Sequence, residues 1–531
     1  MINEAVVQST SEIIPDKASV SNPKKKVKED LKQRGYLNTL TSMIDYAGVQ
    51  ITGIITSPFI VGGLGSAMYG IWQMLSQMTG YAKMADSRAT QVLKWTVAKK
   101  KDVADEEELR SDVTSALIVT AFILPLILIA GGVLSWYAPY ITKADPAYYS
   151  LIRITCSILV LSLAISRIFD LFEAVLRGMN LGYKRMGFRA TIVLFGGALK
   201  VLAITQGFGL VGLSAVQIVI TFITGFTFYL IVKKHIGWFG FGKTNFKKVI
   251  AFSRLSGWNM ANTTTDTLLT QSDKVLLGFV ASPVLVSSYA LTTFLPLAVQ
   301  GVVFRVIIGI LPGIGKLFGL KEYAKIRKVW ANVNHFILLL TTAAGVVIIL
   351  FNNSFLSLWI GKGHYAGNVA NVLIILMIMQ DTLIKHDGYI ITATLDLKKK
   401  VYLTLRSAIV FIVLGFVLVH NWGIVGLCLS LIGGKFLLFV GQRKVLKRKM
   451  KHRSELPFYR VIQPLVISLV MLGTAFYLSH FIHPLGWLQL MGLIPFTFIL
   501  SFLLYFKLGI RKEQRLELVQ IVSSIKYFKS N

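Results

Sequence analysis

Long apolar runs dominate the sequence and constrain its fold more than any other feature. The runs are roughly 20 residues long, which is the length an α-helix needs to cross the hydrocarbon core of a bilayer. The chain of 531 residues is 54% hydrophobic and only 15% charged, whereas a soluble chain of this size carries more charge. We therefore predict an all-α polytopic membrane protein with about 14 transmembrane helices. The predicted spans are 38–62, 66–84, 113–135, 150–172, 191–206, 209–232, 255–280, 287–315, 331–351, 369–391, 407–420, 423–442, 461–480 and 487–506.

The basic residues are concentrated in every second loop. The sequence has 56 lysines and arginines against 25 acidic residues, yet the alternate loops contain only Lys143 and Lys362. Basic loops are retained in the cytoplasm, so both termini are predicted to be cytoplasmic. Membrane topology thus explains the net charge of +31, and we predict no nucleic-acid partner. The basic loops are 83–112, 173–190, 233–254, 316–330, 392–406 and 443–460.

The segments between the spans are too short to form a catalytic domain. The longest predicted outer loops are about 136–149 and 352–368. We therefore predict a transporter that acts between its helices, and not an enzyme. Residues 1–37 are polar and are predicted to form a disordered cytoplasmic tail. Cys156 and Cys428 lie in apolar runs and provide neither a disulfide framework nor the spacing of a metal site.

An internal repeat divides the chain into two halves. Gly209-Leu-Val-Gly-Leu-Ser214 matches Gly423-Ile-Val-Gly-Leu-Cys428, and Arg189-Ala-Thr-Ile-Val193 matches Arg406-Ser-Ala-Ile-Val410 at nearly the same spacing. An even number of spans per half gives both halves the same orientation, and such parallel repeats place a transporter's substrate site between them. The predicted organisation is an N-lobe at 38–232 (spans 1–6), a cytoplasmic linker at 233–254, a C-lobe at 255–442 (spans 7–12), a basic loop at 443–460, spans 13 and 14 within 461–506, and a cytoplasmic tail at 507–531.

Several motifs resemble those of one transporter family. Gly63-Leu-Gly-Ser-Ala-Met-Tyr-Gly-Ile-Trp72 follows span 1, Val175-Leu-Arg-Gly-Met-Asn180 follows span 4, and Asp273-Lys-Val-Leu-Leu-Gly278 precedes Val286-Ser-Ser-Tyr-Ala290. Over residues 35–450 the chain resembles the polysaccharide-flippase (O-antigen/capsule transporter) branch of the multidrug/oligosaccharidyl-lipid/polysaccharide exporter superfamily. The resemblance implies two six-helix lobes around a cavity in a bacterial inner membrane. It also implies that a polyprenyl-diphosphate-linked oligosaccharide is moved from the cytoplasmic to the outer leaflet by alternating access. The partners it implies are the lipid-linked oligosaccharide, membrane lipids, a polysaccharide polymerase and glycosyltransferases.

Seven basic residues fall inside the predicted spans, where a charge at the bilayer centre costs about 2.5–3.5 kcal/mol. Such a residue pairs with an acid or faces a water-filled cavity. Spacing along the helix predicts ion pairs between Arg167 and Asp170 and between Lys385 and Asp381. A diphosphate needs cationic walls, because arginine and lysine bind phosphate oxygens. The predicted cationic, substrate-binding cavity comprises Arg305, Lys200, Lys435, Arg167 and Arg153.

Span 7 carries a polar stripe, because its polar residues recur at steps of three and four and so share one helical face. Asp266 is the first candidate for coupling transport to H⁺ or Na⁺ in an antiporter, since its surroundings can shift the pKa of a carboxylate. Helix–helix hydrogen bonding is the alternative. No other cofactor and no metal is predicted. The predicted stripe and ion-coupling site comprise Asp266, Asp273, Asn259, Asn262 and Thr270, with Asp45 on a weaker stripe in span 1.

The sequence leaves other functions open. A related exporter of cationic drugs is the closest alternative, although a cationic cavity disfavours cationic cargo. The motifs do not separate a lipid II flippase from a capsule or O-antigen flippase. A polysaccharide polymerase or ligase is disfavoured, because histidines on the predicted outer face, such as His364 and His420, show no catalytic or metal spacing. A scaffold without transport is the remaining alternative.

Overall fold

Helices form all the regular secondary structure in the part of the chain that the structure describes. The computed structural model describes residues 23–86, 89–101, 103–394, 397–450, 458–482, 484, 486–510 and 515. The α-helices are α1 (Pro23–Ala82), α2 (Ala89–Lys100), α3 (Glu106–Ile141), α4 (Tyr149–Gly178), α5 (Tyr183–Thr205), α6 (Gly209–His235), α7 (Phe246–Thr270), α8 (Asp273–Val280), α9 (Pro283–Thr292), α10 (Phe294–Gly319), α11 (Tyr323–Trp359), α12 (Asn368–Ala393), α13 (Leu397–Lys449), α14 (Phe458–Leu478) and α15 (Trp487–Leu508).

Nine helices among the described residues are long and apolar enough to cross a membrane, and there are ten such spans if the bent pair α9 and α10 is counted as one. The chain is therefore a multi-pass helical membrane protein. Two of these helices each contain two predicted spans, because α1 is broken at Gly65 and α13 at Gly423. The polar helix α7 is not among them, and α14 is a shorter apolar helix. The count of 14 spans stays a prediction.

Two helices extend into segments that were predicted to be tails or loops. α1 begins at Pro23, so residues 23–37, predicted to be disordered, are helical. α13 continues to Lys449, inside the predicted basic loop 443–460. Most of the predicted C-terminal tail, 507–531, lies outside the described residues.

Two glycines that the sequence repeat pairs have the same unusual backbone conformation. The φ angle is 53° at Gly209 and 52° at Gly423, in the left-handed region that glycine adopts without a steric penalty. Gly209 begins α6, and Gly423 begins the second half of α13. The N-lobe (α1–α6) and the C-lobe (α7–α13) thus start their last helical segment in the same way.

The two lobes meet where α1 faces α8, α9 and α10. The Gln77 side-chain amide donates to the Asp273 carboxylate at 2.7 Å, and the Tyr46 hydroxyl donates to the Ala298 carbonyl at 2.7 Å. The remaining helices, α14 and α15, pack against α11 through apolar clusters on the far side of the C-lobe. Apolar clusters that contain residues of both lobes also pack along α1, so polar and apolar contacts together join the lobes.

The bend between α9 and α10 has an identifiable cause. The two helices meet at 48°, next to Pro296, which has no N–H to donate to the carbonyl of Thr292. The buried amide of Asn352 donates to that carbonyl at 3.0 Å and also to Asn371 at 2.9 Å. Asn352 thus satisfies the carbonyl that the proline leaves unpaired.

The linker between the lobes is fastened to the start of α3. Arg110 Nε donates to the Trp238 carbonyl at 2.7 Å, and the buried Asp112 carboxylate pairs with Lys248 and with Lys100, each at 2.9 Å. Burial lowers the pKa of Lys100, but its carboxylate partners outweigh this effect and hold the pKa above its ordinary value. These contacts join two loops that the charge pattern places on the same side of the membrane.

Gly70 of α1 provides a test of how closely the lobes approach. A Cβ at Gly70 would overlap the backbone carbonyl of Pro283, whereas a Cβ at Gly62 on the same helix would meet nothing within 4 Å. Backbone atoms cannot rotate away, so we expect Gly70→Ala to cost about 1–3 kcal/mol of stability, measured as a lower melting temperature in detergent. Gly62→Ala is the matched control and should melt at the wild-type temperature or above. Equal melting of both variants would show that the lobes are not packed this tightly.

Candidate functional site

A cavity lined by polar, charged and apolar side chains lies inside the N-lobe. It has a volume of about 590 Å³ and is enclosed by α1, α4, α5 and α6. No described residue of the C-lobe lines it, although the repeat predicted a site between the lobes. We call it the first chamber, and its lining includes Thr52, Thr56, Trp72, Ser166, Asp170, Glu173, Arg189, Lys200, Gln217, Thr221 and Thr224.

Lys200 is the cation that projects from α5 into the middle of this lining. Gly196 and Gly197 precede it, and a Cβ on either would collide with Ile220 of α6 or Thr52 of α1. These glycines therefore let α5 lie close to both neighbouring helices. The Lys200 ammonium forms no ion pair and no hydrogen bond with any residue that the structure describes. Its charge is available to a ligand.

The other charges of the first chamber leave an excess of positive charge. Both acids are already paired, since Glu173 is 2.8 Å from Arg185 and Asp170 is 3.2 Å from Arg167. Arg189, by contrast, is exposed and makes no ion pair with a described residue. A chamber whose acids are neutralised and whose cations are not will attract an anion.

A second chamber adjoins the first between α1, α4 and α6. It has a volume of about 260 Å³ and shares Trp72, Ser166, Gln217 and Thr221 with the first chamber. Arg167 lies in its wall, held by Asp86 at 2.9 Å as well as by the predicted partner Asp170. The N-lobe therefore contains two adjacent compartments with polar and charged side chains in their walls. The second chamber is lined by Trp72, Ser76, Thr79, Lys83, Leu159, Ser162, Leu163, Ser166, Arg167, Gln217 and Thr221.

The five cations predicted to share one cavity are dispersed. Lys200 lines the first chamber and Arg167 the second. Arg305 lies over the Tyr46 ring at 3.7 Å and donates to the Ser42 carbonyl at 3.1 Å, so it connects the two lobes. Arg153 lies over the Trp136 ring at 4.0 Å, outside both chambers.

Lys435 does not face a cavity, because an acid distant in sequence neutralises it. Its ammonium is 2.8 Å from Asp381 Oδ1, and Lys385 is 2.8 Å from Oδ2 of the same carboxylate. The Gln300 amide donates to this carboxylate at 3.0 Å. The ion pair of Lys385 with Asp381 was predicted from their spacing, but the one with Lys435 was not. Lys435 therefore belongs to a buried structural network of the C-lobe.

The polar stripe of α7 divides into separate contacts. Asp273, at the start of α8, accepts hydrogen bonds from Gln77 and from the Tyr289 hydroxyl, at 2.7 and 3.0 Å. Asp266 is half-exposed, accepts from Asn262 at 3.1 Å and lies 3.7 Å from Lys400. Its partner is thus neither Lys200 nor Arg305.

The other predicted members of the stripe have local or undefined surroundings. The Thr270 hydroxyl donates to the backbone carbonyl of Asp266 at 2.7 Å. Asp45 is buried, and its Oδ1 has no hydrogen-bond partner among the described residues. The side chain of Asn259 lies outside the described part of the structure. Whether any of these residues couples transport to an ion stays a prediction.

Sequence reasoning missed four residues of the chambers. Arg189 was assigned to a loop, because span 5 was predicted to begin at 191, whereas α5 begins at Tyr183. Gln217 and Thr221 lie at a step of four on α6, which places them on one face. This spacing was the feature of the sequence from which the two residues could have been predicted. Trp72 closes a motif that was used only to suggest a family.

The same overall fold occurs in known membrane transporters. No family model and no curated protein sequence matches this chain. The lipid II flippase MurJ in an inward closed conformation superposes with a TM-score of 0.63 at 14% sequence identity, covering 89% of this chain and 100% of MurJ. The chain therefore shares the overall fold of this flippase.

Two further structures show the same likeness. An inward-facing multidrug-resistance transporter of the MATE family, in the MOP superfamily, gives a TM-score of 0.57 at 14% identity and covers 78% of this chain and 96% of that one. A MOP-superfamily transporter from Pyrococcus furiosus superposes with a TM-score of 0.54 at 12% identity. The superposition covers 79% of this chain and 96% of that transporter. Identities this low establish the fold but carry no residue-level function.

Proposed function

We propose that this protein is a flippase that moves a polyprenyl-diphosphate-linked oligosaccharide from the cytoplasmic to the outer leaflet, for polysaccharide biosynthesis. The observation that carries the proposal is Lys200, which lines the first chamber and has no counter-ion among the described residues. An unpaired charge inside a membrane protein is costly and is retained for function. A diphosphate supplies the missing negative charge, and Arg189 offers the fork geometry that suits phosphate oxygens.

The charge of the first chamber weighs against a cationic drug as the cargo. Its two acids are engaged by Arg185 and Arg167, so a cation entering the chamber would meet Lys200 without a free carboxylate. A lipid II flippase is the second candidate, because MurJ superposes over all of its own length. Both candidates carry a lipid diphosphate and use the same chamber chemistry.

Alternating access would act on the contacts between the lobes. Arg305 and Tyr46 join α10 to α1 through a cation–π contact and backbone hydrogen bonds. Gln77 and Asp273 join α1 to α8. A closed state keeps both sets of contacts. Opening toward one leaflet must break either the Arg305–Tyr46 set or the Gln77–Asp273 set, while the unbroken set serves as the pivot. Asp266 remains our candidate for coupling this motion to H⁺ or Na⁺.

We further propose that both termini lie in the cytoplasm and that the protein resides in a bacterial inner membrane. Arg327 donates to the Met450 carbonyl at 2.8 Å, and Lys143 donates to the Val280 carbonyl at 3.1 Å. Each contact joins segments that the charge pattern assigns to the same face. In intact cells, an impermeant thiol reagent should label Lys143→Cys but spare Lys99→Cys, in a background without native cysteines. Labelling of both, or of Lys99→Cys alone, would contradict this orientation.

Depletion in the native cell tests the proposed function. Loss of a flippase should leave the lipid-linked oligosaccharide on the cytoplasmic side, so the glycolipid should accumulate while the exported polysaccharide falls. Re-expression of the wild-type protein should reverse both changes. Unchanged glycolipid and polysaccharide levels on depletion would argue against this function.

A further inference from the structure

The second chamber has a composition that the diphosphate does not explain. Serine and threonine hydroxyls, one indole and one amide form most of its wall, although it lies between apolar helices. Hydroxyls in such helices commonly mediate packing between helices. Here Ser162 and Thr221 do contact each other between α4 and α6 at 2.9 Å, but all these hydroxyls also border a volume of about 260 Å³. The chamber is therefore suited to a small polar group.

The hydrogen-bond pattern defines which polar group fits. Ser76 donates to the Trp72 carbonyl at 2.8 Å, Ser166 to the Leu163 carbonyl at 2.7 Å, and Thr221 to the Gln217 carbonyl at 2.8 Å. Each hydroxyl uses its hydrogen within its own helix, which leaves two lone pairs on its oxygen. Arg167 donates to Ser166 at 3.4 Å and the Ser162 hydroxyl contacts Thr221 at 2.9 Å. The oxygens of Ser166 and Thr221 therefore each keep one acceptor site. The chamber thus offers several acceptors to a ligand that carries several O–H donors.

Gln217 supplies both kinds of hydrogen bond at the boundary between the chambers. Its side-chain amide makes no hydrogen bond to a described residue, and the residue lines both chambers. An amide presents two N–H donors and a carbonyl acceptor. It can therefore bind a hydroxyl and its neighbouring ring or linkage oxygen together.

The charges of the second chamber favour a neutral ligand. The wall contains two cations, Arg167 and Lys83. Arg167 is held by two carboxylates, those of Asp86 and Asp170, at 2.9 and 3.2 Å, and Lys83 interacts electrostatically with Asp170. An additional anion would gain little from a guanidinium that is already doubly paired, and both carboxylates would repel it. Uncompensated positive charge lies in the first chamber at Lys200.

We propose that the second chamber binds the neutral sugar ring nearest the diphosphate, with the Trp72 indole as its apolar face and Gln217 at the sugar–phosphate junction. This assignment rests on the proposed flippase function and adds which chamber recognises which part of the headgroup. The two chambers share Trp72, Ser166, Gln217 and Thr221, so a ring in the second is adjacent to an anionic group in the first. The volume admits one ring and excludes a longer chain of sugars.

Binding measurements on the purified, full-length protein test this assignment. The probes are a polyprenyl diphosphate, the same lipid bearing one neutral hexose, and the same lipid bearing one uronic acid. Wild-type protein should bind the hexose-bearing lipid most tightly. Gln217→Leu should weaken binding of that lipid about tenfold and binding of the bare diphosphate by a smaller factor, whereas Lys200→Ala should weaken both equally. Thr227→Val, on the same helix but outside both chambers, is the matched control and should bind like wild type.

Three outcomes would overturn the assignment. Equal affinity of the wild type for bare and hexose-bearing lipids would show that the second chamber does not bind the sugar, while leaving the flippase proposal intact. Tighter binding of the uronic acid than of the hexose would contradict the neutral ligand. If no probe binds the wild type, the proposed function fails together with this assignment. Melting temperatures of all variants show whether a lost affinity reflects lost folding.

Discussion

Replacing Asp381 with leucine should remove most of the folded protein from the membrane. The carboxylate is 8% exposed, and Lys435 beside it is 6% exposed. Without Asp381 the Lys435 ammonium is buried with no counter-charge, and breaking a buried pair on one side costs about 3–5 kcal/mol. Total stabilities are only about 5–15 kcal/mol. We expect a large fall in abundance and in the melting temperature measured in detergent.

Two comparisons separate this electrostatic cause from a simple packing defect. The double variant Asp381→Leu with Lys435→Met removes both charges and should recover much of the lost stability, since apolar replacements of a buried pair are often neutral or stabilising. Asp266→Leu breaks a half-exposed contact of 3.7 Å and should cost less than about 1 kcal/mol. A stable Asp381→Leu single variant would contradict the network.

Lys200→Leu should have the opposite profile, with activity lost and stability retained or improved. The ammonium has no partner among the described residues, so a shorter, apolar leucine removes a desolvated charge without breaking an ion pair or hydrogen bond. Binding should nevertheless weaken, because a charged hydrogen bond contributes about 1.5–3 kcal/mol, which is about ten- to a hundred-fold in affinity. The measurement is flipping rate against melting temperature in the same preparation.

Arg305→Ala is the informative comparison for Lys200→Leu. Arg305 touches Tyr46 and the Ser42 carbonyl and not the chambers, so its loss should alter the balance between conformations and leave affinity for the diphosphate unchanged. Normal flipping by Lys200→Leu at normal abundance would exclude Lys200 from the site. Such a result would also remove the main support for an anionic substrate.

The sequence predicts contacts within one helix better than contacts between helices. Arg167 with Asp170 and Lys385 with Asp381 are one turn apart, so helical geometry alone brings them together. Asp381 also binds Lys435, and Asp273 binds Gln77, but those partners lie on other helices. Their pairing depends on how the lobes pack, which composition and periodicity do not encode. Lys435 was therefore placed in a cavity although a distant acid neutralises it.

The candidate site was predictable in part for the same reason. Lys200 was selected because no acid lies near it in sequence, and the structure places it in the first chamber. Arg189 was overlooked because its helix begins earlier than the apolar run suggests. The predicted location between the lobes followed from the repeat, which relates two similar halves. Both chambers are lined by residues of the N-lobe alone, because the side chains that line a cavity differ between the halves even where the backbone repeats.

The most direct test of the central claim is to measure flipping of a fluorescent polyprenyl-diphosphate oligosaccharide in vesicles that contain only the purified protein. Wild-type protein should make the glycolipid of the inner leaflet accessible to an external, impermeant quencher within minutes, and Lys200→Leu at equal incorporation should do so at least about tenfold more slowly. Protein-free vesicles set the background rate. A wild-type rate equal to that background, under an imposed H⁺ or Na⁺ gradient as well as without one, would contradict the assignment of this protein as a flippase.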